Sequence, residues 1–218
     1  MNFLKTSLSA LFISASIFCA SGKVVTDPAP VVNESDYSAN IDKAMDGDPQ
    51  AQCIIGHCMQ LGVGTPVDLL NAARWYAKSA SQGNLEARYR LGCVFRDGRG
   101  TKKNDVEAAY WFRKAAMNGH PLGLLNLADC FYEGRGLQGD YRMAAQDFWK
   151  SADKGIPEAA YRLACMLRDG TGIDQDLPQA LKYFKQAAEA NFADAEDQVA
   201  ELESQGVKMP APVKTAKK

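Results

Sequence analysis

Hydrophobic, aromatic and small residues recur along this chain at a constant spacing of 36 residues. The apolar column is Ile55, Leu91, Leu127, Leu163 and Val199; the aromatic column is Tyr76, Phe112, Phe148 and Phe184; the small column is Gly56, Gly92, Ala128, Ala164 and Ala200. A spacing that holds over several columns without an insertion identifies a tandem repeat. The chain is therefore expected to fold as a stack of similar units.

Each repeat contains the signals of two helices. Helix A is expected to begin at Pro49 after the N-cap Asp48 and to end at Gly62, because Pro suits a first turn and Gly suits a left-handed C-terminal turn. Asp68 then caps helix B, which ends at Gly83. Small residues on both helices predict close packing, with the aromatic column filling the remaining space.

The repeat fixes the predicted boundaries of an all-α solenoid over residues 37–203. They are a half repeat at 37–48, repeats at 49–84, 85–120, 121–156 and 157–192, and a capping helix at 193–203. Polar half repeats suit the ends of an open array, since they cover apolar faces that have no next repeat. We expect residues 23–36 to be a linker and residues 204–218 to be a disordered basic tail.

Residues 1–22 have the pattern of a secretory signal peptide. Lys5 precedes a short apolar run from Leu8 to Phe18, and small residues at Ala20 and Gly22 follow. The run is shorter than the roughly 20 apolar residues that a membrane-spanning helix needs. We therefore expect export to a bacterial periplasm or secretion, with a mature chain that begins near Gly22.

Three segments of the second repeat resemble a known family. They are Ala87–Gly92 (ARYRLG), Asp97–Gly100 (DGRG) and Ala108–His120 (AAYWFRKAAMNGH), and they resemble the Sel-one-like repeat (SLR) family, a relative of the tetratricopeptide repeats. The resemblance covers all four repeats in register. It implies a right-handed α/α superhelical solenoid of antiparallel helix pairs that acts as a scaffold or adaptor, without catalysis or a cofactor.

The charge balance favours no charged polymer as a partner. The chain has 25 Lys and Arg against 26 Asp and Glu, a net charge of −1, so no overall attraction to nucleic acid or anionic lipid is expected. We expect a monomer without a membrane span whose partner is another protein or a peptide.

The predicted binding surface is the face of helix A that lines the concave side in this fold class. Tyr and Arg on this face are the residue types that most often anchor protein interfaces. An alternative is that the tyrosines pack between neighbouring repeats, where they also bury a large area. The candidate protein-binding residues are Tyr89, Arg96, Leu125, Asp129, Tyr132, Tyr161 and Arg168.

Two functions other than an adaptor are possible for such a repeat array: a β-lactam- or peptidoglycan-active enzyme and an envelope spacer. Ser151 and Lys154 match a Ser-x-x-Lys motif, but neither Ser-Asp-Asn nor Lys-Thr-Gly accompanies it. Cysteine-rich SLR relatives linked to β-lactams pair a Cys of helix A with a Cys of helix B, and no predicted helix B here contains Cys. We therefore expect no catalytic residue.

The cysteines of the repeats all lie in predicted A helices. Cys58 and Cys93, like Cys130 and Cys165, are 35 residues apart. Both pairs occupy the same two columns, so a regular array permits both disulfides or neither. A helical wheel points the two columns toward the same flank of helix A, which favours neither.

Neither histidine is predicted to bind a metal, and His57 is expected to be part of the polar lining of the groove. Cys53, His57 and Cys93 could be drawn together as soft-metal ligands, but no fourth ligand is evident, so we expect no metal site. His120 lies in the turn between two repeats and is expected to face solvent.

Overall fold

The chain divides into two units, Met1–Val31 and Val32–Lys218. In the first unit, strand β1 (Ser16–Phe18) pairs antiparallel with strand β2 (Val24–Thr26), with Ser16 opposite Thr26. The residues described by the computed structural model are 16–18, 24–26, 32–192 and 194–210. Most of the predicted signal peptide, the residues around its cleavage site and the end of the basic tail lie outside the described residues.

The described part of the second unit consists of helices joined by short loops. They are α1 (Glu34–Met45), α2 (Pro49–Leu61), α3 (Leu69–Ser81), α4 (Leu85–Asp97), α5 (Asp105–Ala116), α6 (Pro121–Glu133), α7 (Tyr141–Ala152), α8 (Pro157–Asp169), α9 (Leu177–Glu189) and α10 (Ala195–Ser204). Helices α2, α4, α6 and α8 are the predicted A helices, and α3, α5, α7 and α9 are the predicted B helices. Each helix packs mainly against its neighbours in sequence, which confirms the array of helix pairs.

Packing explains why an aromatic residue recurs at the same position of each repeat. The rings of Tyr76, Phe112, Phe148 and Phe184 are fully buried. A Cβ atom added to Gly92 would lie 2.6 Å from the Phe112 ring, and one added to Gly56 would lie 2.9 Å from the Tyr76 ring. The small column on helix A therefore provides the space that the aromatic ring of helix B occupies.

A second glycine in each loop between helices A and B sets the spacing of successive repeats. Gly100 has a φ of +82°, and an added Cβ atom would overlap the Leu69 carbonyl in the first turn of α3. In the next repeat, an added Cβ atom on Gly136 would overlap the carbonyl of Asp105 in α5. The backbones of neighbouring repeats thus approach too closely for a side chain at this position.

Two predicted boundaries are corrected by the structure. Helix α1 begins at Glu34 rather than residue 37, because the Asn33 side chain accepts a hydrogen bond from the Ser35 N–H and the Asp36 carboxylate accepts one from the Asn33 N–H. This capping box extends the helix into the predicted linker. At the other end, α10 begins at Ala195 rather than residue 193, after Asp194 with a φ of +66°.

None of the helices in the described ranges has the length and apolar character needed to cross a membrane.

Candidate protein-binding site

The predicted binding residues on the A helices separate into a buried group and a more exposed group. Tyr89, Leu125 and Asp129 are only 5%, 3% and 6% exposed, whereas Tyr132 is 38% exposed. Helix α6 explains this burial, because every residue from position 122 to position 131 is buried. Tyr89, Leu125 and Asp129 are therefore buried in the free chain rather than exposed, and their role in binding a partner stays a prediction.

Tyr89 lies in the contact between repeats 2 and 3. Its ring stacks on the His120 ring with the centroids 4.9 Å apart. The Nδ1 atom of His120 accepts a hydrogen bond from the Gly123 N–H, and its Nε2 atom lies 3.1 Å from a Glu86 carboxylate oxygen. The expectation that His120 faces solvent is wrong, since its side chain is 12% exposed. The sequence did indicate a capping role for His120, because His120 occupies the same column as the N-cap Asp48.

Arg96 joins repeat 2 to repeat 3. Its Nε atom donates to Asp97 at 2.7 Å, and its Nη1 atom donates to the Asn126 side chain at 2.5 Å. The cavity beside it, also lined by Phe112, has a volume of about 10 Å³, which leaves room for about one water molecule. The guanidinium is thus already engaged between repeats and only 18% exposed.

Arg168 makes the same contacts in repeat 4 but is more accessible. Its Nε atom donates to Asp169 at 2.7 Å and its Nη1 atom donates to Gln198 of α10. The Arg168 side chain is 33% exposed. The two arginines therefore use one hydrogen-bonding scheme, with a more open surface in repeat 4.

Two aromatic candidates also lie at the surface. The ring of Tyr161 is partly buried against Phe184 and Phe192, with centroid separations of 5.4 Å and 5.2 Å. Tyr132 makes an edge contact with Tyr141 at 5.2 Å. Each of these tyrosines thus combines ring packing within the array with a part of its side chain that is accessible to solvent.

Asp129 is a buried carboxylate at the contact between repeats 3 and 4. Its Oδ1 atom lies 3.6 Å from Arg162, whose other nitrogen lies 3.3 Å from a Glu158 oxygen. Burial raises the pKa of Asp129 to about 7, and the charge of Arg162 opposes that shift. Asp129 thus faces Arg162 within the array, and its role in binding a partner stays a prediction.

The five cysteines in the described ranges are free thiols. Cys58 and Cys130 are buried, whereas Cys93 and Cys165 are partly buried. Burial raises the pKa of Cys58, Cys93 and Cys130 to about 11, so little thiolate forms at neutral pH. Their surroundings suit packing rather than nucleophilic chemistry.

The described residues contain no group of three or more potential metal ligands among His, Cys, Asp and Glu. Cys53 and His57 are both buried on α2. Burial raises the pKa of Cys53 to about 12 and lowers the pKa of His57 to about 4. The Nδ1 atom of His57 lies 3.5 Å from the Tyr76 hydroxyl.

Ser151 has a structural role in the contact between helices. Its hydroxyl is fully buried and donates to the Pro121 carbonyl at 2.9 Å. Ser79, at the same column of repeat 1, donates to the Pro49 carbonyl at 2.5 Å. A serine that repeats this contact is explained by packing, so the Ser-x-x-Lys match carries no catalytic argument.

The chain is similar to bacterial repeat proteins. The family described as Sel1 repeat matches residues 49–84, 85–120, 121–155 and 157–192. The crystal structure of c5321, a protective antigen of uropathogenic Escherichia coli with an SLR fold, is 31% identical with a TM-score of 0.75; the match covers 83% of this chain and 39% of that protein. This chain therefore spans about two fifths of that protein.

A second solved structure has more similar length. The Sel1 repeat protein from Oxalobacter formigenes is 28% identical with a TM-score of 0.70, and the match covers 81% of this chain and 76% of that one. Among curated proteins, none matches the chain.

Proposed function

This chain belongs to the Sel1 repeat family, and from that premise we propose that it is an exported scaffold that binds another protein through its A helices. Sel1 repeat proteins are generally non-catalytic and mediate protein interactions. The proposal assigns this chain a particular surface, centred on repeat 4. Its anchors are Tyr161 and Arg168, with Tyr132, which occupies the column of Arg168 in repeat 3.

The observation that carries the proposal is the partial exposure of Tyr161 and Arg168 on α8. Their equivalents in repeat 2 are less accessible: Tyr89 is 5% exposed and stacks on His120, and Arg96 is 18% exposed and donates to Asn126 of α6. Tyr and Arg that are partly buried before binding make good anchors, because their geometry is already fixed and less side-chain entropy is lost on binding. The A helix of repeat 4 is thus the favoured binding site, and the A helix of repeat 2 is not.

Export is proposed from the sequence of residues 1–22 alone. The basic start, the apolar run and the small residues that follow favour a cleaved signal peptide. N-terminal sequencing of protein from the periplasm or medium is expected to find a start near Gly22. A retained Met1 would contradict export by cleavage.

The binding proposal is tested by a double variant, Tyr161→Ala with Arg168→Ala, in the full chain. Immobilised wild type is incubated with envelope extract, and captured proteins are identified and then purified for affinity measurement. Loss of two anchors is expected to weaken binding by a factor of about 30 or more, at roughly 1–2 kcal/mol for each anchor. The matched control, Tyr110→Ala with Arg113→Ala, removes the same residue types from α5 and should bind normally.

The outcome that contradicts the proposal is equal affinity of the double variant and wild type while both remain folded. Far-UV circular dichroism and thermal melting check the fold. The enzyme alternative is tested separately by nitrocefin turnover, for which no activity above background is expected. Measurable turnover that Ser151→Ala abolishes would replace the scaffold proposal.

A further inference from the structure

The exposed side of the B helices is strongly basic, although the whole chain is nearly neutral. In α3, this side consists of Leu70, Arg74, Ala77, Lys78 and Ser81, all exposed. The equivalent columns are exposed or partly exposed in α5, α7 and α9 and the residues just after them. We refer to these five columns in the four repeats as the basic face.

Each repeat contributes two cations to the basic face. The eight cations are Arg74, Lys78, Arg113, Lys114, Arg142, Lys150, Lys182 and Lys185, and the only carboxylates in these columns are Asp153 and Glu189. Helix α10, by contrast, has four acidic residues and no Lys or Arg. The net charge of −1 therefore conceals a local excess of positive charge in these five columns.

Most of these cations are not neutralised by a carboxylate. In the described part of the chain, the ion pairs of the basic face are Lys150 with Asp147 at 3.0 Å and Lys185 with Glu203 at 2.6 Å. Lys78 instead lies over an aromatic ring, 4.4 Å from the centre of Trp75. Rings hold Lys114 and Lys182 in the same way, at 5.4 Å and 5.0 Å. Ring contacts position the ammonium groups while leaving their charge available.

Large apolar side chains are interleaved with the cations. Leu70 is 52% exposed, Val106 64%, Tyr110 49%, Met117 75% and Trp149 42%. The A helices, in contrast, add only Tyr132 to the set of exposed large apolar residues in the described ranges. Both the positive charge and the exposed apolar surface thus concentrate on the B helices.

We propose that the basic face binds the surface of a membrane that contains anionic phospholipids. Lys and Arg attract the anionic headgroups, and exposed Trp, Tyr and Met side chains insert at the headgroup level. Binding is peripheral. It uses the B helices, so it is independent of the protein-binding surface on α8 and leaves that surface open.

Two other anionic partners fit the surface less well. Interfaces between proteins are depleted of Lys, whereas five of the eight cations here are lysines. A soluble polyanion would use the cations but would leave Met117 and Val106 exposed to water. A lipid surface accounts for the charged and the apolar side chains together.

The first test measures binding of the full chain to vesicles of phosphatidylcholine mixed with phosphatidylglycerol and to vesicles of phosphatidylcholine alone. The test variant is Lys78→Gln, Lys114→Gln and Lys150→Gln. Each lysine near an anionic surface contributes a factor of about five to binding, so we expect a loss on the order of 100-fold. A salt titration of wild type should show binding that weakens steadily as ionic strength rises.

The matched control removes the same charge from exposed lysines outside the basic face: Lys43→Gln, Lys102→Gln and Lys103→Gln. We expect this control to bind the mixed vesicles within about threefold of wild type, since these lysines do not belong to the face. Every variant keeps residues 1–22, so that segment contributes equally to all of them. An equal loss in both variants would show that net charge alone governs binding and would overturn the proposal.

Trp149 supplies a fluorescence readout on the basic face. Its indole is 42% exposed, so brominated lipid should quench its emission when mixed vesicles are added. The quenching should fall in Trp149→Phe, which keeps Trp75 and Trp111, and it should also fall sharply in the test variant. The proposal is overturned if Trp149 is not quenched, if the test variant is quenched like wild type, or if a soluble polyanion binds and the mixed vesicles do not.

Discussion

Helices α4 and α8 carry the same six polar and aromatic residues, but they present them differently. Tyr89 is buried at 5% exposure, whereas its equivalent Tyr161 is partly exposed. The exposed fraction of the arginine rises from 18% at Arg96 to 33% at Arg168. The identical pairs are Glu86 and Glu158, Tyr89 and Tyr161, Arg90 and Arg162, Cys93 and Cys165, Arg96 and Arg168, and Asp97 and Asp169.

The A helix that follows differs between the two repeats. Helix α6 follows α4 and carries Leu122 and Leu125, which are both buried. Helix α10 follows α8, and Asp194 and Asp197 stand in those two columns. Helix α10 also begins late, at Ala195. The same residues therefore form a core contact in one repeat and a partly open surface in the other.

The preceding repeat also changes the surroundings of the shared arginine. Arg90 is 3% exposed and pairs with Glu86 at 2.5 Å. The A helix of the repeat before it carries His57, at the position that Asp129 has in α6. Arg162 is 26% exposed, and there the same column holds Asp129, 3.6 Å away. A buried carboxylate thus occurs at one junction and a neutral imidazole at the other, which gives the two junctions different pH dependence.

The largest expected effect comes from the glycine that holds neighbouring repeats together. Gly100→Ala places a methyl group on the Leu69 carbonyl in a left-handed conformation, and we expect it to lower the free energy of unfolding by about 4 kcal/mol, from overpacking and backbone strain. Gly155 also has a positive φ, +86°, but no atom lies near its Cβ position. Gly155→Ala should therefore cost only about 1 kcal/mol.

Denaturant unfolding of both glycine variants measures this difference. Gly172→Ala extends the comparison to repeat 4, where an added Cβ atom would lie 2.5 Å from the Tyr141 backbone. Equal stabilities of Gly100→Ala and Gly155→Ala would mean that the repeats do not approach as closely as the structure has them.

The second prediction compares the two tyrosines directly. Tyr89→Ala removes a buried ring that stacks on His120, and it should cost about 3 kcal/mol, toward the low end for aromatic truncation. Tyr161→Ala removes a ring that already contacts solvent and should cost about half as much. Urea titrations of the two variants give the ratio. A larger loss of stability in Tyr161→Ala than in Tyr89→Ala would contradict the difference in burial between α4 and α8.

The third prediction concerns the pH dependence of the junction between repeats 3 and 4. Burial raises the pKa of Asp129 to about 7 in the folded chain, while an unfolded Asp titrates near 4. The proton-bound form is therefore favoured by folding. Its contribution to stability is full below the unfolded pKa and is lost as the pH rises toward 7.

Asp129→Asn removes this titration, so the wild type should lose stability relative to the variant between about pH 4 and pH 7. Unfolding free energies of both proteins at several pH values measure the difference. Glu158 and Arg162 from α8, and Glu133 and Arg135 beyond Asp129, also face this group and are present in both proteins. A pH-independent difference would show that Asp129 is ionised as readily in the folded chain as in the unfolded one.

The smallest expected effect is a difference in reactivity between two equivalent thiols, Cys93 and Cys165. Burial raises the pKa of Cys93 to about 11 and also raises the pKa of Cys165. Both should react slowly in the folded chain, and Cys165 should react a few times faster because α10 covers it less. Alkylation followed by peptide mass spectrometry measures the two rates. Titration after unfolding should find five free thiols in the repeats. Three free thiols would mean that one disulfide forms without the other, which two pairs in the same columns do not permit.

Much of the fold could be predicted because its signals are local. The caps Asp48 and Asp68 accept hydrogen bonds from N–H groups three residues away, so short segments of sequence suffice to find them. Gly62, Gly98, Gly134 and Gly170 all adopt the expected left-handed conformation. The start of α1 was missed because Asn33 and Asp36 form a capping box that no other repeat copies.

The candidate site was harder to predict because burial depends on distant residues. Arg96 contacts Asn126, 30 residues away in sequence, and no pattern within α4 reveals that contact. The helical wheel assigned one face of helix A to the core and the other to solvent, but α6 is packed on nearly all sides. The burial of His120 depends on the fold in the same way, since its side chain contacts Glu86 and Tyr89, which are more than 30 residues away in sequence.

The sequence by itself determined the period, the helices and their ends, because these depend on residues within a few positions of one another. It also contained the basic face, since each B helix carries two cations at fixed columns. Only the tertiary structure decided which copy of a residue is covered, because the covering side chains belong to the next repeat. Tyr89 and Tyr161 are the same residue in the same column, and α6 and α10 make one a core residue and the other a surface.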